Sequence, residues 1–395
     1  MSTHYNYLVV GGGMTAGAAV SGIRQVDEKG TIGLISEENH PPYDRPPLSK
    51  GLWKGKPLEN IWRKTKEEKV DLHLGRRVVS IDVEDKRLAD GQGDEYSYDK
   101  LLLATGGSPR KLPFGEDRIV YYRTIDDYQQ LKSAVGQGTR FAVIGGGFIG
   151  SEIAAALAMY HQDVVMLFPE EGIGARLFPA DLSLFLNDYY QEKGVKVNAG
   201  VMIDGLEVQG EQVALKTIGG RDILADKIVA GIGLQPNLEL AKVADLEFGD
   251  GIIVDEYLRT SQPDIFAAGD VASFYNPALD ARLRVEHEDN ANTMGLTAGK
   301  NMAGEKIAYH HLPFFYSDLF DLGYEAVGEV NSKLDIVEDW QEKFQKGVIY
   351  YLRDGRVRGV LLWNVWGQVD AARQLISQPG PFKAEDLKGR LPEKK

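Results

Sequence analysis

The 395-residue sequence contains no cysteine. Structural disulfides, a thiolate-ligated iron–sulfur centre and a dithiol or sulfenic-acid relay are therefore excluded from this chain. Any electrons it handles must leave a bound group directly, with no thiol in between. No apolar run approaches the roughly 20 residues that a membrane-spanning helix needs. Positive charge is also scarce: 45 Lys and Arg stand against 58 Asp and Glu, a formal net charge of −13. That balance disfavours a nucleic-acid surface. The seven histidines fall in no metal-ligand spacing. His310 and His311 would point to opposite faces of a strand, so no metal site is expected. Residues 1–4 run almost directly into the first apolar strand. That leaves no room for a leader peptide and points to a cytoplasmic location.

Glycine, by contrast, is placed with a clear pattern. Gly11-Gly12-Gly13-Met14-Thr15-Ala16 follows the apolar run Tyr7-Leu8-Val9-Val10. Gly145-Gly146-Gly147-Phe148-Ile149-Gly150 follows Phe141-Ala142-Val143-Ile144. Both turns have the form G-x-G-x-x-(G/A), which lets backbone approach a pyrophosphate at a helix N-terminus. Each is followed by a second apolar strand ending at an acid: residues 31–36 before Glu37, and 164–168 before Glu170. An acid at that place accepts from ribose hydroxyls and repels a 2′-phosphate. Two such units imply two dinucleotides and a hydride passed between them. Glu170 then favours NADH. Arg176, six positions on, keeps NADPH use open.

Between and after these units the pattern changes. A stiff Pro-rich loop spans residues 41–50, and residues 70–104 alternate with period 2, as half-buried strands do. The run 264–270 ends at Gly269-Asp270, and a helix is expected over 288–302. From about residue 310 onward strand patterns dominate, with Asp354-Gly355 a hairpin signal. The expected architecture is α/β: two Rossmann-like dinucleotide-binding domains plus a β-rich α+β C-terminal domain. The expected segments are 1–118 and 235–309 for the first dinucleotide-binding domain, 119–234 for the second, and 310–395 for the C-terminal domain.

The two glycine turns, Ala104-Thr105-Gly106 and Ala268-Gly269-Asp270 together resemble the FAD- and NAD(P)H-dependent pyridine-nucleotide oxidoreductases of glutathione-reductase type. Arg45-Pro46-Pro47-Leu48-Ser49-Lys50 is similar to the branch holding ferredoxin and rubredoxin reductases and the apoptosis-inducing factors. Arg284-Val285-Glu286-His287, Tyr316-Ser317-Asp318-Leu319, Gly323-Tyr324-Glu325-Ala326 and the runs 346–353 and 360–364 resemble the apoptosis-inducing-factor-like group. The likeness extends from about residue 7 to 376. The sequence departs from the animal members in lacking counterparts of their leader and acidic insertion, in Tyr316 where they carry tryptophan, and in Glu288 where they carry a second histidine.

The resemblance implies bound FAD and NAD(H). It implies that Gly11, Gly13 and Ala16 hold the FAD pyrophosphate and Glu37 its ribose. Arg45, Val79, Thr105, Gly106, Arg123, Gly269 and Asp270 complete that site. Gly145, Gly147, Ile149, Gly150, Glu170, Arg176 and Gly233 would take NAD. The same likeness sets Lys50 at flavin N5 paired with Glu152, Phe148 as an aromatic gate, and Glu286 and His287 beside the ring. Phe315 and Tyr316 would close the flavin's other face. The implied activity is an FAD-dependent NADH oxidoreductase with a long-lived FADH⁻/NAD⁺ charge-transfer complex, an unidentified electron acceptor and an NADH-promoted homodimer. Two alternatives stay open: a reductase feeding a ferredoxin or rubredoxin, and a redox-sensing interaction protein.

Overall fold

A computed structural model describes residues 3–115, 117–136 and 138–392. The chain divides into two compact units. The first comprises Met1–Pro46, Lys56–Ser108 and Gln235–Pro313, and the second Pro47–Gly55, Pro109–Leu234 and Phe314–Lys395.

Among the described residues, the first unit is built on a seven-stranded sheet. Its parallel part places Val70–Leu74, Ile32–Ser36, Thr3–Val10 and Glu95–Leu103 side by side. Leu8, Val9, Leu34, Leu101 and Leu102 are fully buried there, as a sheet covered on both faces requires. Arg87–Asp90 and Val78–Asp82 continue the sheet antiparallel, which accounts for the period-2 alternation seen in the sequence. Ile265–Ala267 pairs in parallel with the end of Glu95–Leu103. Val10 lies level with Ile35 and Leu103 in the register, so the strands finish together at one edge. The helix Met14–Arg24 leaves that edge and packs on Glu288–Met302. Their backbones are very close: a Cβ at Gly299 would lie 2.0 Å from the Ala19 carbonyl oxygen. The first helix stops at Arg24, because Asp27 accepts the Lys29 and Gly30 amides and turns the chain.

The second unit contains a five-stranded parallel sheet in the order Val195–Ala199, Asp163–Phe168, Arg140–Ile144, Lys227–Ala230, Ile119–Tyr121. The strands Ile203–Gln209, Gln212–Thr217 and Ile223–Ala225 form a small antiparallel sheet beside it in sequence. A separate five-stranded antiparallel sheet takes the order Phe314–Leu319, Leu322–Gly328, Arg356–Trp363, Lys346–Arg353, Asp335–Glu342. Asp354 and Gly355 both adopt positive φ, 52° and 73°, and close its central hairpin as the Asp-Gly signal predicts. Because residues 119–234 and 314–395 carry sheets of their own, we propose that they are two domains within this unit; residues 310–313 of the expected C-terminal segment fall in the first unit.

Candidate functional site

In the first unit the strand Thr3–Val10 ends at Gly11, whose φ is 127°. A Cβ on Gly11 would fall 2.1 Å from the Ala104 carbonyl oxygen, so only glycine fits there. Gly13 differs: a Cβ there meets no atom within 4 Å. Gly13 is also the N-cap of Met14–Arg24 and has no side-chain cap, which leaves the first helical amides turned to that open side. Ala16 is wholly buried under the turn. A pyrophosphate fits this cradle, because it needs close backbone and free N–H groups.

The second unit repeats the arrangement. Gly145 has φ of 114° and a Cβ there would lie 2.4 Å from the Gly231 carbonyl oxygen. Gly147 caps Phe148–Met159 with no side chain, and its Cβ direction is again clear within 4 Å. A Cβ on Gly150 would strike the Gly145 carbonyl oxygen at 1.9 Å, which explains glycine at the third place. Ile149 follows Phe148 in the first turn of that helix, and Gly233, with φ of 98°, lies three residues past Lys227–Ala230.

The expected acids stand at the expected strand ends with different surroundings. Glu37 is exposed and meets Arg77 at 3.4 Å. Its neighbour Glu38 is the one engaged within the fold. It accepts from Tyr43 Oη at 2.6 Å and pairs with the Arg45 guanidinium. Burial alone would lower the Arg45 pKa, but the charge and hydrogen bond of Glu38, with Tyr43 and Asp270, together outweigh it and hold the guanidinium above its ordinary value. Glu38 was missed from sequence because two adjacent acids after a strand look alike until their side chains are placed. Glu170 pairs with Arg176 at 2.8 Å, so the two residues thought to pull coenzyme choice in opposite directions are bonded to each other.

The strand Ile265–Ala267 leads into Gly269-Asp270. Gly269 has φ of 78°, and a Cβ there would lie 2.2 Å from Thr15 Oγ1, so the Asp270 turn is pressed against the first helix. Arg284 donates to the Asp270 carbonyl oxygen at 3.2 Å and to Glu286 at 2.7 Å, tying two expected site residues together. His287 is the N-cap residue of Glu288–Met302. Its ring keeps some accessible surface, yet protein atoms crowd it. That desolvation lowers the imidazole to about 4 against the opposing charges of Asp270 and Asp289. Thr105 Oγ1 donates to the Asn237 carbonyl oxygen, and the Gly106 carbonyl oxygen accepts from the Asn237 amide. Val79 sits exposed on Val78–Asp82. In the second unit the Arg123 amide donates to Asp127 just before the helix Ile125–Ser133.

The tightest cluster lies wholly within the second unit. Glu152, one turn into Phe148–Met159, has a side chain only 2% exposed. Lys50 Nζ lies 2.7 Å from Glu152 Oε1. Ser317 Oγ donates to the same oxygen at 2.6 Å, and Ser49 Oγ to Oε2 at 2.5 Å. This is a buried, triply donated carboxylate, not a surface ion pair of little worth. Sequence reasoning found Lys50 and Glu152 but not the two serines. Ser49 adjoins Lys50 in the quoted motif, and Ser317 faces inward with Phe315 in strand alternation, so the signal was present.

Phe314–Leu319 alternates outward and inward, with Phe315 buried and Tyr316 36% exposed. The two rings therefore point to opposite faces and cannot cover one surface together. Phe315 packs edge-on to Phe148, with centroids 5.3 Å apart. Tyr316 instead lies beneath the Lys50 ammonium, 5.2 Å from its ring centroid.

Two glycine-turn nucleotide units and a buried Lys–Glu pair define a two-dinucleotide oxidoreductase. The profile of the family described as pyridine nucleotide-disulphide oxidoreductase matches residues 5–295. That of the apoptosis-inducing factor, mitochondrion-associated, C-terminal domain matches residues 298–341 and 337–378. The chain belongs to the pyridine nucleotide-disulphide oxidoreductases, in a form related to apoptosis-inducing factor and to ferredoxin and monodehydroascorbate reductases, and its cofactors are FAD and NAD(P)H. Apoptosis-inducing factor 1, mitochondrial, of Dictyostelium discoideum is 34% identical over 94% of this chain and 78% of its own length. Monodehydroascorbate reductase 3 of Arabidopsis thaliana is 34% identical over 91% of this chain and 89% of its own. The crystal structure of the covalent putidaredoxin reductase–putidaredoxin complex matches with a TM-score of 0.90 at 29% identity, covering 97% of this chain and 95% of that one. No helix among the described residues is long and apolar enough to cross a membrane.

Proposed function

We propose that the protein is an NADH-preferring, FAD-dependent oxidoreductase of apoptosis-inducing-factor type. The observation that carries this reading is the buried Lys50–Glu152 pair on the helix that opens the second nucleotide unit. In this reading Gly11, Gly13 and the start of Met14–Arg24 hold the FAD pyrophosphate, and Glu37 holds its ribose. Gly145, Gly147 and Gly150 hold the NADH pyrophosphate, and Glu170 takes the adenosine 2′-hydroxyl. When bound, the flavin supplies the hydride acceptor, its N5 atom. Lys50 would supply a positive charge near that atom to offset the negative charge that the ring as a whole takes on, and Glu152 fixes the ammonium. Phe148, resting on Phe315, must swing for the nicotinamide to enter, and His287, neutral near pH 7, adds bulk without charge. Tyr316 offers a stacking surface that supports a lasting charge-transfer complex. A cytoplasmic location and an NADH-promoted dimer belong to the same proposal, tested by cell fractionation and by sedimentation with and without NADH.

Anaerobic stopped-flow mixing with each coenzyme tests the central claim. NADH is expected to reduce the flavin faster than NADPH and to leave a broad long-wavelength absorbance. Equal or faster reduction by NADPH overturns the preference, and no band in the wild type overturns the charge-transfer part.

A second reading has its own support. A ferredoxin reductase subunit from Sphingobium is 33% identical over 90% of this chain, and the putidaredoxin reductase fold matches over nearly the whole length. Electrons would then pass to a small redox protein. Steady-state turnover that rises with added ferredoxin, and not with small quinones, favours that reading.

A further inference from the structure

Glu152 is the meeting point of three chain segments. It sits on Phe148–Met159, Ser49 and Lys50 come from the loop 47–55, and Ser317 comes from the strand Phe314–Leu319. The two carboxylate oxygens are not equivalent. Oε2 receives Ser49 alone, whereas Oε1 is shared by Ser317 and Lys50. The last torsion of a glutamate side chain is broad and nearly two-fold, so a lysine alone would not fix which way the carboxylate plane faces. One hydroxyl on each oxygen fixes it. All three partners are well shielded, with Ser317 1%, Ser49 5% and the Lys50 side chain 14% exposed. The plane is therefore held by protein groups, not by water.

We propose that Ser49 and Ser317 are positioning residues of the redox site: they lock the Glu152 carboxylate so that it holds the Lys50 ammonium at a single point. The inference rests on the reading of Lys50 as the charge that faces the flavin. Ser317 matters most, because it shares the oxygen that Lys50 binds. Without its hydroxyl, Oε1 has Lys50 as its only donor in the cluster. The ammonium is drawn further onto Glu152, and less of its charge is available elsewhere.

The test uses the FAD-loaded full-length protein. Ser317→Ala should slow flavin reduction by NADH roughly three- to tenfold, the effect of one hydrogen bond to a charged group passed on in part. Its flavin midpoint potential should fall, with FAD content and circular dichroism unchanged. Ser317→Thr, which keeps the hydroxyl, should restore both. In a Glu152→Ala background, Ser317→Ala should change nothing further. A readout that needs no turnover is the carboxylate stretch in infrared difference spectra, assigned with Glu152→Gln, which should shift in Ser317→Ala. Wild-type reduction kinetics together with an unshifted carboxylate band in Ser317→Ala overturn the proposal. So does an equal effect of Ser317→Ala with and without Glu152. If the wild type itself is not reduced by either coenzyme, the proposed function fails, and the infrared comparison still decides whether the clamp exists.

Discussion

At the residue scale, two glycines in one turn have opposite reasons to be there. Gly11 combines positive φ with a carbonyl 2.1 Å from where its Cβ would stand, whereas Gly13 has clear space. Gly11→Ala is therefore expected to destabilise the fold itself, lowering the urea midpoint and the yield of folded protein. Gly13→Ala should fold normally but bind FAD at least tenfold more weakly, because its methyl enters the pyrophosphate cradle. Equilibrium unfolding of the two variants and FAD titration of their apoproteins would separate these effects, and an unchanged FAD affinity in Gly13→Ala would falsify the cradle. The Lys50–Glu152 pair gives a second contrast. Lys50→Met leaves a buried carboxylate with only hydroxyl donors and should cost about 3 kcal/mol. Adding Glu152→Gln to it should recover part of that loss in urea titrations. Strict additivity of the two changes would mean that the pair is not coupled. Much of this was legible from sequence, since G-x-G-x-x-(G/A) spacing and the acids after each second strand follow from local backbone geometry. For Ser49 and Ser317 the sequence carried only the motif position and the strand alternation, since their shared partner Glu152 is brought to them by segments far away in the chain, and Glu38 was hidden because either of two adjacent acids could turn inward.

At the element scale, the Pro-rich loop is held more firmly than its sequence suggests. Trp53 Nε1 and Tyr122 Oη both donate to the Leu48 carbonyl oxygen, at 2.8 and 2.5 Å. The Trp53 ring meets Tyr128 and Tyr160 edge-on, at 5.7 and 5.6 Å between centroids, and the Lys132 ammonium caps it at 4.7 Å. The segment carrying Ser49 and Lys50 is thus anchored by an aromatic box at Trp53. Trp53 is buried, and its packing places the lysine. Trp53→Ala should cost roughly 3–5 kcal/mol, the usual loss for a buried aromatic, and raise the acylation rate of Lys50 measured by mass spectrometry. Trp53→Phe, which keeps most of the ring and leaves Tyr122 on Leu48, should do much less. An unaltered Lys50 acylation rate in a folded Trp53→Ala variant would show that the box and the lysine are independent. Elements with strong periodicity, such as Glu288–Met302 and the hairpin at Asp354-Gly355, were legible at nearly their observed limits. The opposed faces of Phe315 and Tyr316 follow from strand alternation, yet the family likeness had grouped them by proximity in sequence.

At the scale of the whole molecule, the acid side of the stability curve should show which groups the fold keeps from protonating. Desolvation lowers His287 to about 4, and His73 is also lowered, again first by burial. In the unfolded chain a histidine titrates near 6.5. Between about pH 6.5 and 4 the unfolded state therefore binds a proton at position 287 that the folded state refuses, and stability falls as pH falls through that window. One such proton is worth at most about 1.4 kcal/mol per pH unit. Above pH 6.5 both states are neutral there and the residue adds no slope. The carboxylates act lower down. Asp264, held below its usual range by hydrogen bonds from Lys100 and Lys86, and Asp163, by those from Lys196 and Arg140, contribute stability above the ordinary Asp pKa that is lost only as pH falls below it. The chain's net charge of −13 adds a broad background as acid neutralises it, so the informative quantity is a difference between variants. His287→Asn should unfold with a shallower dependence on pH between 6.5 and 4 than the wild type, the two curves running parallel above pH 7. Urea titrations at half-unit steps would measure it. Parallel curves across the whole range would mean that the imidazole is protonated as readily in the fold as outside it. His287 would then carry a positive charge beside Asp270 near pH 6, and its assignment as a neutral wall of the flavin site would have to be abandoned.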